Sequence, residues 1–194
     1  MASEFALSRF PALERLSSAW TIIRDESVTL DRDNVLPISR AGRTHAEMLD
    51  ELKAFGTPGW VQAWGPLKHL WLNYGLLFED RFPLGDVGVP QTIGLLGHLR
   101  GVHVAAFSLF RPGAYLPVHV HPELEEAGLY TYHLGLEAPP DYAYLFTQGT
   151  FVREETGRGF VFDGSKPHFA FNFSDRDRLI LYLEFYKDRL RWVD

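Results

Sequence analysis

The sequence predicts a mainly β protein, a sandwich or a barrel, with helices from its N-terminal half packed on it. Three observations point there. From residue 102 onward, short runs rich in Val, Ile, Leu, Phe and Tyr alternate with turn residues, the spacing of antiparallel sandwiches and barrels. Before residue 101 the clearest apolar repeats have a helical period. Aromatic residues make up 14% of the chain, which suits a pleated core or a lined pocket. The 194 residues allow one domain, with a helical part over about 1–100 and a β core over about 101–187.

Each element follows from its local pattern. In PALERLSSAWTIIR (11–24), Leu13, Leu16, Trp20 and Ile23 fall on one helical face, and Pro11 suits a first turn. A second helix is expected from Ala46 to Phe55, stopped at Gly56, with a turn at Pro58-Gly59. Trp60–Trp64 and His69–Leu72 read as short strands, and PQTIGLLGHL (90–99) as a helix opened by proline. Then come the core strands: 102–110, 115–121, 128–136, DYAYLF, 159–163, 168–173 and 178–186, with turns at RPGA and Gln148-Gly149. Pro117 cannot donate to a ladder, so 115–121 is placed at an edge or a bulge.

Composition removes several function classes. A net charge of −6 without a basic cluster argues against nucleic acid and anionic membranes as partners. The absence of cysteine removes disulfides, thiolate metal sites and cysteine nucleophiles, so any metal rests on His, Asp or Glu. The N-terminal MASEFALSRF does not read as a signal peptide, and no apolar run reaches a membrane span. The expected location is cytoplasmic.

Of eight histidines, His45, His69, His98 and His103 are scattered, and surface or satisfied core roles are expected of them. His119 and His121 differ, because residues i and i+2 of a strand share a face. Two imidazoles from one strand with a third, His168, from a distant one would make a metal site with open positions. An HxH pair alone is a weak signal. For Arg178, at the head of an apolar strand, the bland alternative is a rim salt bridge with Asp175 or Asp177. Trp60, Trp64, Trp71 and Tyr132 are candidates for a pocket wall, against ordinary core packing.

The context is more specific than the histidines. FSLFRPG, PVHVHP, YHLGL, FDGSKPHFAFN and DRLILYLEF occur in that order, preceded by FPALERLSSAWTIIRDE, the Gly59-Trp60 pair and VPQTIGLL. Together they resemble the aspartyl/asparaginyl β-hydroxylase family over nearly the whole chain. The resemblance implies a double-stranded β-helix, a jelly-roll or cupin-like barrel. It also implies an Fe(II)- and 2-oxoglutarate-dependent oxygenase that consumes O2. The family's iron ligands fall on His119 and His168, and its 2-oxoglutarate contacts on Ser108, His133 and Arg178. A buried dicarboxylate needs a guanidinium, which agrees with Arg178.

This chain departs from the family at two positions. Thr131 stands where the family has an arginine, and His121 where it commonly offers no ligand. A competing match exists to the cupins: Gly113, His119, His121 and Glu125 fit their first motif, and His168 and Asn172 the end of their second. Asp163 and Ser165 stand there where proline and glycine are expected. That match would make Glu125 a fourth ligand, whereas the lengthened acidic stretch ELEEAG favours a solvated turn.

Three functions follow as expectations. The first is hydroxylation of a small molecule or peptide-like substrate, with His119, His168 and His121 on iron and Arg178, Ser108, His133 and Thr131 around 2-oxoglutarate. The second is a three-histidine iron or copper oxygenase that takes no 2-oxoglutarate. The third is a non-catalytic metal- or ligand-binding barrel.

Overall fold

The computed structural model describes residues 5–65 and 67–194. The expectation about a signal peptide falls partly on residues 1–4, outside the described residues. The helical segment of 11–24 is two helices, α1 (Pro11–Ser18) and α2 (Trp20–Ser27), separated at Ala19. The adjacent serines account for the break. The Ser17 hydroxyl donates to the Leu13 carbonyl at 2.7 Å and the Ser18 hydroxyl to Arg15 at 2.6 Å, competing with the helix's own bonds. The expected apolar face survives, since Leu13, Leu16 and Ile23 are fully buried, each contributing roughly 1.5–3 kcal/mol.

After β1 (Val35–Ser39), helix α3 (His45–Phe55) opens on a capping box between Thr44 and Glu47 and closes on Gly56 at φ 78°. Strand β2 (Trp60–Gln62) follows. The strand expected at His69–Leu72 is displaced: Lys68–Leu70 is a 3-10 turn, and β3 runs from Trp71 to Phe78. Then come α4 (Pro90–Gly97), β4 (Leu99–Arg100), β5 (Val102–Phe110), β6 (Ala114–His119) and α5 (Pro122–Ala127). The chain continues through β7 (Leu129–Glu137), β8 (Ala143–Thr147), β9 (Thr150–Arg153) and β10 (Gly159–Phe162). It ends with β11 (His168–Asn172), β12 (Arg178–Tyr186) and β13 (Arg191–Trp192).

Two sheets make the core. The larger has the order β1-β2-β3-β5-β12-β7-β10 and the smaller β6-β11-β8-β9, while β13 pairs β4 apart from both. From β5 to β8 the chain alternates between the two sheets, and it does so again from β9 to β12. That is the double-stranded β-helix. Within these sheets only β1–β2 is parallel. As Pro117 requires, β6 lies at an edge, and its pairing with β11 slips between His168 and Ala170.

Strand alternation divides the large sheet into two faces. Leu179, Leu181, Leu183 and Phe185 of β12 join Tyr132, Leu134 and Leu136 of β7 in one cluster with Leu13, Leu16 and Ile23. Helices α1, α2 and α4 therefore cover the outer face. Arg178, Ile180 and Tyr182, with Thr131 and His133, line a cavity on the inner face. Among the described residues, no helix is long and apolar enough to cross a membrane.

Candidate active site

The end of β6 and the start of β11 bring the first histidines together, because His119 and His168 are direct register partners. Their ring centroids lie 4.0 Å apart. His121 is not in the strand. It immediately precedes α5, yet its ring lies 4.9 Å from His119 and 5.7 Å from His168. One nitrogen from each of the three falls within 4.8 Å of the others.

Hydrogen bonds identify which nitrogens those are. His119 Nδ1 is 2.8 Å from the Pro117 carbonyl, and His168 Nδ1 is 2.8 Å from the Lys166 carbonyl. His121 Nδ1 is 2.9 Å from Glu123 Oε1. Each partner is an acceptor, so each Nδ1 donates and each Nε2 is the atom left for a metal. Metal-binding histidines are held in this way. Burial lowers the pKa of both His119 and His168 to about 4, so both are neutral at pH 7. The Trp64 ring rests edge-on against His119 at 4.9 Å.

The cupin alternative fails at two places. Glu125 is exposed on α5 and pairs with Lys166 Nζ at 3.0 Å, outside the histidine cluster. Asn172 is structural: its Nδ2 donates to the carbonyls of Phe110 and Arg176. Asp163 and Ser165 brace the loop before His168, where Asp163 Oδ1 accepts from the Ser165 amide and hydroxyl.

Ser108, Thr131, His133 and Arg178 line the same cavity as the three histidines. Ser108 Oγ accepts from Trp71 Nε1 at 3.0 Å. Thr131 is buried beneath Gly164, where an added Cβ would lie 2.7 Å from its hydroxyl. Arg178 makes no rim salt bridge. It is 2% exposed, lies over the Phe110 ring at 4.7 Å, and donates from Nη2 to Glu154 Oε1 at 2.5 Å. Asp177 pairs with Arg32 at 2.8 Å instead.

Glu154 is the residue that sequence reasoning missed. Its Oε1 also accepts from His133 Nδ1 at 2.9 Å, and its Oε2 has no hydrogen-bond partner among the described residues. Burial alone would raise its pKa; Arg178 and His133 outweigh that and hold it near 2. Burial lowers the pKa of His133, against the pull of Glu154. Nothing in VREETGR distinguishes Glu154 from a solvated charge. The indirect signal is Gly135 of HLGL, where an added Cβ would lie 2.1 Å from the Glu155 carbonyl. Only glycine lets the 154–158 segment cross β7 so closely.

Beyond these residues the cavity lining is largely apolar, with Met48, Leu49 and Leu52 of α3, Leu77 and Leu84, alongside Arg40, His45 and Asn73. Trp64 and Trp71 also line it. Trp60 and Tyr132, the other aromatic candidates, are fully buried in the core behind the sheet.

A sequence model described as aspartyl/asparaginyl beta-hydroxylase matches residues 17–188. The chain belongs to that family. It is 31% identical over 118 residues to an ornithine lipid ester-linked acyl 2-hydroxylase from Rhizobium tropici, a match covering 60% of this chain and 40% of that protein. The matched part therefore spans well under half the length of that relative. Among solved structures it is similar to a Cupin_2 domain of an XRE family transcriptional regulator from Enterobacter cloacae. That likeness has 19% identity, 60% and 97% coverage of the two chains, and a TM-score of 0.41. It is also similar to a predicted oxalate decarboxylase from Thermotoga maritima, at 14% identity, 67% and 92% coverage, and a TM-score of 0.42. The family is described by a hydroxylase name, and the three-histidine cluster of this chain is a group that could hold a metal ion.

Proposed function

We propose that this protein is an iron-dependent hydroxylase of acyl chains, with Fe(II) held by His119, His121 and His168 and 2-oxoglutarate anchored by Arg178. One observation carries the metal assignment. All three Nδ1 atoms are engaged by acceptors, which leaves the three Nε2 atoms for an ion in a cluster whose ligand atoms lie within 4.8 Å of one another. Iron there supplies the oxygen activation that hydroxylates an unactivated C–H bond, with 2-oxoglutarate as the co-oxidised donor.

The chain's own residues position the reactants. Three neutral imidazoles leave the ion its full charge for attracting a carboxylate. Glu154 engages Arg178 through Nη2, which leaves further guanidinium donors for the far carboxylate of 2-oxoglutarate. Ser108 lies in the same wall. The apolar side formed by Met48, Leu49, Leu52, Leu77 and Leu84 excludes water and suits a hydrocarbon chain. An acyl substrate is also what the Rhizobium relative's name describes for that protein.

A second reading, an iron or copper oxygenase without 2-oxoglutarate, draws on specific observations: Glu154 already neutralises Arg178, and Thr131 adds no charge. One experiment separates the two. The iron-loaded protein is incubated with 2-oxoglutarate, oxygen and an acyl lipid, and succinate and hydroxylated lipid are followed by mass spectrometry. Equal amounts of both are expected. His121→Ala should lose iron affinity by more than the roughly 10–100-fold that loss of an outer partner costs, and Arg178→Ala should lose 2-oxoglutarate binding. Hydroxylated lipid without succinate would favour the second reading. Neither product, with 2-oxoglutarate untouched, sinks both.

A further inference from the structure

Two of the four histidines expected in surface or satisfied core roles come together instead. His45, the first residue of α3, and His103 of β5 converge on Glu184 of β12, with one ligand atom from each within 4.8 Å of the others. A bulge makes this possible. Val104 pairs with Glu184 and Val102 with Phe185, so His103 is the extra residue on its strand. The bulge re-aims His103 toward the inner face that Glu184 shares with Tyr182.

The polar inventory of this cluster leaves one buried oxygen without a hydrogen bond. His103 Nδ1 lies 2.5 Å from Glu79 Oε1, which orients the ring and leaves Nε2 as the atom facing the cluster. That Nε2 lies 3.9 Å from Glu184 Oε2, and His45 Nδ1 lies 4.0 Å from the same oxygen. Both distances are too long for hydrogen bonds. Glu184 is 2% exposed; Tyr182 donates to its Oε1 at 2.5 Å, and its Oε2 has no partner among the described residues. A buried carboxylate oxygen left so is costly. Ligands about 2 Å from an ion on either side span these gaps.

We propose that His45 Nδ1, His103 Nε2 and Glu184 Oε2 form a second site for a divalent transition-metal ion, separate from the three-histidine cluster. Two imidazoles and one carboxylate are a ligand set for Zn(II) and its neighbours. Outer support is in place. Glu79 orients His103, and Asp80 accepts from the amides of Gly101 and Val102 at 2.9 Å each, pinning the turn that carries Glu79 to the start of β5. The ion would tie α3, which bears Met48, Leu49 and Leu52 of the apolar wall, to the large sheet. This site does not depend on the function proposed above.

The test is metal stoichiometry. Chelator-stripped protein is dialysed against Zn(II) at pH 7.5, and bound metal is measured per chain. Two equivalents are expected for the wild type, one for Glu184→Gln, one for His168→Ala and none for the double variant. Should Glu184→Gln fail to fold by circular dichroism, His45→Ala replaces it, removing a ligand from a helix end without opening the sheet. Glu79→Gln should weaken the second equivalent about 10–100-fold. One equivalent in the wild type that persists in Glu184→Gln and His45→Ala would overturn the proposal, as would a second equivalent that both variants retain. One equivalent in the wild type that Glu184→Gln abolishes would uphold this site and count against the three-histidine one.

Discussion

Glu154 places a buried charge against His133 and Arg178, two residues of the cavity's polar end, and its consequences can be signed. Its folded pKa is near 2 against an ordinary 4.5. As pH falls, the unfolded chain takes up this proton first. The carboxylate's contribution is therefore complete above about 4.5 and is lost as pH drops toward about 2. Urea midpoints measured across that window should fall more steeply for the wild type than for Glu154→Gln; parallel curves would show that the ion pair adds nothing. Removing Arg178 instead strands a buried carboxylate and should cost about 3–5 kcal/mol. At this scale the sequence was legible where chemistry has a spacing. His119 and His168 stood in motif blocks, and Arg178 was conspicuous in front of an apolar strand. Glu154 lay among like residues in a turn-like run, and its burial depends on a crossing that only the fold creates.

Elements were legible where their own period governs them. Strands β5 and β12 run over the predicted residues, because both are continuous apolar runs bounded by turn residues. The segments missed include β1, with an exposed proline at its middle, the mostly exposed β9, the two-residue β4 and β13, and α5, a short acidic helix opened by Pro122. None has an apolar face wide enough to declare itself. The crossing of β7 by residues 154–158 is likewise invisible locally, though it rests on one glycine. Gly157 and Arg158 exchange backbone bonds with Gly135, from the Gly157 amide at 2.8 Å and to the Arg158 carbonyl at 3.1 Å. Gly135→Ala puts a methyl into that contact and should cost about 1–3 kcal/mol. It should also displace Glu154 and weaken 2-oxoglutarate binding, although position 135 touches neither. A variant with wild-type stability and affinity would mean that the segment moves aside freely, and Glu154 with it.

Across the whole molecule, the pairing of distant strands decides which histidines meet, and no local pattern reports it. His45 and His103 are far apart in sequence and lie on a helix and a strand; the bulge in β5 and the placement of α3 join them. The two clusters also lie across different structural seams. His119 and His168 link β6 and β11 of the small sheet, with His121 at the entry to α5, while His45, His103 and Glu184 link α3 to the large sheet. Metal bound only to the folded chain stabilises it by about 2.7 kcal/mol for each site at a free concentration of 100 Kd. Stripping both sites should therefore lower the melting temperature in two separable parts, each restored by titration. His168→Ala should keep the part that protects α3 from hydrogen exchange, and Glu184→Gln the part that protects β6 and β11. A melting temperature indifferent to chelation, with unchanged exchange in α3 and β11, would remove metal from the account of how this barrel is held together.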